Sequence, residues 1–245
     1  MFRVLNQIWP VHSPDLRAHL PQILQSVGPF VQHLMIDSHS AGDSFQTVLS
    51  SCPNIRNLAI YLPTSWRASR ASKGEVELNS LLSVLQKMPR LTRLSMGLPH
   101  VFYADLLIRP FLNLTHLEIL FPSAFKYWEK WDVLTQFPKL THICIEGAIR
   151  VRDVLKLLHC PRLKLLIVVT SNSDRDRQDS DGLYGVEDNR LVLLEAENYV
   201  DVIFDWDKGA NGGVDRWMFS ELVVLARDSE YPGCFLIHLV LVLKE

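Results

Sequence analysis

Two short phrases place reactive side chains at matching positions: Phe111-Leu-Asn-Leu-Thr-His-Leu-Glu-Ile119 and Phe137-Pro-Lys-Leu-Thr-His-Ile-Cys-Ile145. If both are strands paired in register, His116, Glu118, His142 and Cys144 leave one face about 5 to 7 Å apart. Imidazole, carboxylate and thiolate are the ligand types that zinc takes, so this square could hold a metal ion. The alternative is that Thr-His fills a tolerated outward position of a repeat. We adopt that alternative and expect neither metal nor cofactor.

A second group, Asp205, Asp207 and Asp215, crowds around Trp206 and a glycine-rich turn. With a histidine these carboxylates could serve a hydrolase. However, the chain has no G-x-S-x-G, P-loop, G-x-G-x-x-G or H-E-x-x-H motif. We read the aspartates as helix caps and first-turn charges, and expect no catalytic residue. A cleft lined by them and a histidine would favour the hydrolase, whereas aspartates spread over a surface would favour recognition. Cys52 and Cys160, each just before a proline, read as buried thiols, because Met88 and Phe137 fill the same place elsewhere. Arg67-Ala-Ser69 and Arg70-Ala-Ser72 read as a solvated loop.

The elements that position these side chains follow from the repetition. Weaker copies of the phrase stand at Cys52 to Ile60, Met88 to Met96 and Cys160 to Val168, and Val31 to Ile36 opens the series. Their central residues Leu34, Leu58, Leu94, Leu117, Ile143 and Leu166 are spaced by 24, 36, 23, 26 and 23 residues. The long step contains the polar insertion 64–74. The other four fit a leucine-rich repeat, in which one strand and one helix bury their apolar sides only by stacking on neighbours. The predicted fold class is therefore α/β, a leucine-rich-repeat solenoid with parallel strands on the concave face and helices on the convex face.

We expect a single domain. Residues 1–30 form a helical cap, 31–170 the repeats, 171–182 a mobile polar loop, and 183–230 the last repeat with a helix Asp215 to Arg227 capping the open end. Residues 231–245 either add one apolar strand or lie outside the fold. Connecting helices are predicted at Pro14 to Val27, Ser44 to Ser51, Val76 to Lys87, Ala104 to Ile108, Trp128 to Phe137, Val151 to Leu158 and Tyr199 to Asp207. In the repeat phrase the first, fourth and sixth positions face the core. The outward rows are then His33, Asn57, Arg93, His116, His142 and Leu165, and beside them Met35, Ala59, Ser95, Glu118, Cys144 and Ile167. Among these, His33, Asn57, Arg93, Ser95, His116, Glu118, His142 and Cys144 make up the predicted binding surface for a protein partner.

A net charge of −2 and a pI near 6.5 give no electrostatic reason for nucleic acid or an anionic membrane as partner. Four scattered cysteines suit a reducing compartment, cytoplasmic or nuclear. The first ten residues make a poor signal peptide, and the apolar run Phe235 to Leu243 is about half the ~20 residues of a spanning helix, so a soluble protein is expected.

The recurrent C/F-P-x-L-x-x-L-x-I phrase, the opening Val27-Gly-Pro-Phe-Val-Gln-His-Leu34 and the ending with Asp188-Asn-Arg-Leu-Val-Leu, Asp205-Trp206, Gly209, Gly212-Gly213 and Asp215-x-Trp217 form a set. As a set they resemble the leucine-rich-repeat proteins of mushroom-forming fungi, many of which carry an F-box. That resemblance implies a non-catalytic, substrate-recognising component of a ubiquitin ligase, with protein partners and possible contact to the ligase scaffold. Two departures stand out. The chain before Val31 has room for only one helix, so no F-box is expected within it, and Pro63, Pro99, Pro122 and Ala148 replace the Asn or Cys that builds the usual side-chain ladder.

Overall fold

The phrases at Asn57 to Ile60, Arg93 to Met96, His116 to Ile119 and His142 to Ile145 alternate an apolar residue with a polar or small one, and a strand sends these to opposite faces. The computed structural model describes residues 22–37, 45–61, 83–97 apart from 86, 111–120, 131–171 apart from 148, and 181–229 apart from 197 and 198. Within them lie seven strands: β1 His33–Asp37, β2 Asn57–Tyr61, β3 Arg93–Gly97, β4 His116–Leu120, β5 His142–Glu146, β6 Leu165–Ser171 and β7 Leu191–Ala196. All neighbours are parallel, and spatial order equals chain order.

The register aligns Leu34, Leu58, Leu94, Leu117, Ile143 and Leu166 in one row across six strands. This row packs into a core with residues of the intervening segments: Leu49 from α1 (Phe45–Ser51), Leu134 from the 3-10 turn Trp131–Gln136, and Val154 and Leu157 from α2 (Val151–Leu158). Helix α2 forms because Val154, Leu157 and Leu158 share one buried face while Leu155 stays outside. The phenyl rings of Phe111 and Phe137, the residues that open the twin phrases, stack at 6.0 Å.

Side chains also link one repeat to the next. Thr92, Thr115 and Thr141 donate in succession to the carbonyls of Arg56, Thr92 and Thr115, at 3.2, 3.0 and 3.4 Å. Below them Asn54 and Asn113 donate to the carbonyls of Pro29 and Pro89 at 2.7 and 2.8 Å. Arg162 and Arg190 donate to the carbonyls of Thr135 and Leu158, both at 2.6 Å. The threonine of the Thr-His pair is thus a ladder residue and more than filler. Pro63, Pro99, Pro122 and Ala148 lie outside the described residues.

The second face of the sheet is where expectation and structure part. Helices α3 (Tyr199–Ala210) and α4 (Arg216–Asp228) cover it, so the predicted open strand face is closed over much of its area. Trp217 of α4 packs with Cys144, Leu165, Ile167, Val169 and Val192, and Trp206 of α3 packs with Ala59 and Leu120. The physical reason is visible in β6. Leu165 to Val169 is continuously apolar, a strand that needs cover on both faces. Helix α4, predicted to cap the open end of the stack, therefore covers the strand face instead.

Other bounds differ as well. The helix predicted over 128–137 is a 3-10 turn at Trp131–Gln136, and the one over 199–207 runs on to Ala210. Most of 14–27, 76–87 and 171–182, and all of 64–74, 104–108 and 231–245, lie outside the described residues.

Candidate functional site

The site is built where the two outward rows of the sheet meet the α3–α4 hairpin. The register sets His33, Asn57, Arg93, His116, His142 and Leu165 side by side, and Met35, Ala59, Ser95, Glu118, Cys144 and Ile167 beside them. Both rows match the predicted ones. Their surroundings do not: Asn57, Ser95, Glu118, His142 and Cys144 are buried, Arg93 and His116 are half-buried, and His33 alone is exposed.

Arg216 lies at the centre. Its Nη1 donates to Glu118 Oε1 at 2.7 Å and its Nε to Asp205 Oδ2 at 2.7 Å, while its backbone N–H reaches Asp205 Oδ1 at 2.9 Å. The same Nη1 is 3.8 Å from Cys144 Sγ. Burial opposes the guanidinium's charge, but the Glu118 and Asp205 carboxylates outweigh it and hold the group firmly protonated. Burial pushes the Asp205 carboxyl above its ordinary range, with Arg216 pulling the other way. Cys144 is pushed far up by burial and by the Glu118 carboxylate, so it stays a thiol. Glu118 and Cys144 both face Arg216, so the four-residue square weighed above and set aside does not form.

Two further contacts seat the hairpin. Asp215 caps α4 by accepting from Met218 N–H at 2.9 Å and also meets Arg93 Nη1 at 3.3 Å. Trp206 Nε1 donates to Asn57 Oδ1 at 3.1 Å, satisfying two buried polar groups at once. Gly209 is required here, since a side chain would collide with the Asp215 carboxylate, and Gly212 turns the chain with φ +79°. Of the three aspartates read as helix caps and first-turn charges, Asp215 is a cap. Asp205 is instead a buried ion-pair partner, and Asp207 accepts from Asn211 at 3.4 Å.

The histidines form their own unit. The rings of His116 and His142 stack at 4.2 Å with 6° between their planes, and the Trp217 indole meets both edge-on, at 5.1 and 6.2 Å. Each Nδ1 is 2.8 Å from the hydroxyl of the preceding threonine. His142 Nε2 lies 3.0 Å from Glu221 of α4. Burial, with His142 and Arg93 nearby, lowers the His116 pKa to about 2. Burial also lowers that of His142, against the pull of Glu221.

Asp205, Asp215 and His116 do line one cavity, together with Ser95, Glu118 and Trp206, but its volume is about 20 Å³. That is room for a water molecule and not for a substrate. Asp207 is not among its walls. Cys52 and Cys160 are buried free thiols. Among the described residues no helix is long and apolar enough to cross a membrane.

Compared with protein-family models, with curated proteins and with solved structures, the chain matches none. Sequence reasoning missed Arg216, Trp217 and Glu221. The signals that could have found them are the unbroken apolar run of β6 and a charged residue beside a tryptophan, Arg216-Trp217, in a helix otherwise read as a simple cap.

Proposed function

We propose that this chain is a leucine-rich-repeat protein that recognises another protein without catalysis, and that the outward face of α4 is its recognition element. The repeat reading is supported by six strand phrases that recur, outside the one insertion, at leucine-rich-repeat spacing and pair in chain order. The non-catalytic reading is supported by the water-sized cavity and by aspartates already held by arginines.

One observation carries the choice of surface. Met218, Leu222 and Leu225, at i, i+4 and i+7, are 49%, 55% and 64% exposed on a helix whose opposite face is fixed to the sheet. Val214, just before the helix, is exposed as well. This spacing is the one an amphipathic helix uses when it enters an apolar groove, so the partner is a protein presenting such a groove. Because Arg216 and Trp217 already hold α4 in place, little ordering remains to oppose binding. The resemblance to fungal F-box proteins makes a ubiquitin-ligase component or its target the first partner class to test.

Affinity purification of the wild-type chain beside Met218→Asp/Leu222→Asp tests the surface, followed by reconstitution with the purified partner. A protein retained by the wild type and lost with the double variant is the expected result, and a ligase adaptor among them would support the F-box-like role. Identical partner sets for the two forms, or direct binding unaffected by the double variant, would overturn it.

A further inference from the structure

The Thr-His pair occurs twice, and its second occurrence brings the two imidazoles under α4. Thr115 gives its only hydroxyl hydrogen to the Thr92 carbonyl at 3.0 Å, so its oxygen accepts from His116 Nδ1–H at 2.8 Å. That fixes the tautomer. The lone pair of His116 is on Nε2, the atom free to ligate. At His142 the same threonine contact recurs, and Nε2–H donates to Glu221 at 3.0 Å. One ligand atom from each of His116, His142 and Glu221 lies within 4.8 Å of the other two.

We propose that His116, His142 and Glu221 form a binding site for a divalent transition-metal ion, with zinc as the type case, that clamps α4 to β4 and β5. This set differs from the square suggested by the sequence, because Glu221 replaces Glu118 and Cys144. The chemistry is that of two imidazoles and a carboxylate, with Thr115 and Thr141 acting behind the histidines to orient them. On binding, the metal takes the place of the proton between His142 and Glu221. That proton leaves to solvent, while His142 keeps its Nδ1–H on Thr141, whose own hydrogen goes to the Thr115 carbonyl.

The geometry asks for a small adjustment. Zinc bonds of 2.0 to 2.2 Å place tetrahedral ligand atoms ~3.4 Å apart, so the parallel rings must tilt toward each other by roughly an ångström. The Glu221 side chain is 48% exposed and has the freedom to follow. The cations facing the site are Arg93, held by Asp215, and the exposed Lys164. Trp217 closes one side.

The test titrates the chelator-treated full chain with zinc, following binding by calorimetry and the melting temperature, and repeats it with cobalt for its absorption spectrum. The wild type should bind one ion per chain, melt higher with zinc, and give a cobalt spectrum without a thiolate band. Glu221→Gln, a change at a half-exposed side chain, and His116→Asn should each abolish the melting shift. Thr141→Val should weaken binding ~10-fold or more. Zinc binding that persists at full strength in Glu221→Gln, a thiolate band in cobalt, or no ion bound by the wild type would each overturn the proposal.

Discussion

Arg216 on α4 and Glu118 on β4 are joined at 2.7 Å, with side chains 9% and 5% exposed, although 98 residues separate them in the chain. The guanidinium also holds Asp205 through Nε, so a single cation ties a strand to both helices of the hairpin. Taking it away leaves two buried carboxylates without their countercharge. Arg216→Ala should therefore cost about 3–5 kcal/mol in urea unfolding. Arg216→Lys should recover only part of this, since a single ammonium lacks the fork that reaches both partners.

Helix α4 has one face that holds the fold and one that does not. Trp217→Ala removes an indole packed on β5, β6 and β7 and should lower stability by about 3–5 kcal/mol. Leu222→Ala, one turn further on but outward, should stay within about 0.5 kcal/mol while weakening partner binding. Denaturation of the two variants side by side checks the contrast.

The hairpin turn makes a third prediction. Gly212→Ala meets no neighbouring atom but must hold φ near +79°, which should cost ~1–2 kcal/mol. Gly209→Ala must displace the Asp215 carboxylate, and with it the α4 cap and the Arg93 contact, so it should be the more damaging of the two. Melting temperatures would rank them, and the reverse order would contradict the packing described.

Cys52 gives a pH dependence. Burial raises its thiol pKa to about 11 from 9.0. Between these values the unfolded chain has lost a proton that the native chain keeps, so stability falls as pH rises from 9 to 11. The Cys52 share is up to about 3 kcal/mol. Cys52→Val, compared with wild type at pH 8.5 and 10.5, should lose less stability over that interval. The native thiol should also resist modification at pH 8 until the chain is unfolded.

Much of the sheet was legible. A strand's faces alternate with strict period two, so Leu117, Ile143 and their counterparts declared both the core row and, by difference, the two outward rows. The register confirms these rows residue by residue. The thresholds of the helices were less clear: Trp131–Gln136 carries a helical pattern yet forms a 3-10 turn, because a short connection constrained by stacking overrides local preference. The site was half legible. His116 and His142 were identified, but Glu221, Arg216 and Trp217 come from a segment whose own pattern says only that it is an amphipathic helix.

By itself, then, the sequence determined what repeats locally: strand phrases, their spacing, their pairing in register and the side of the sheet that forms the core. Periodicity is a property of neighbours along the chain and can be read there. Only the tertiary structure decided that α3 and α4 fold back over the second face. That choice rests on burying β6 on both sides and on one arginine meeting Glu118 and Asp205. Such contacts depend on which distant surfaces meet, and no local pattern encodes that meeting.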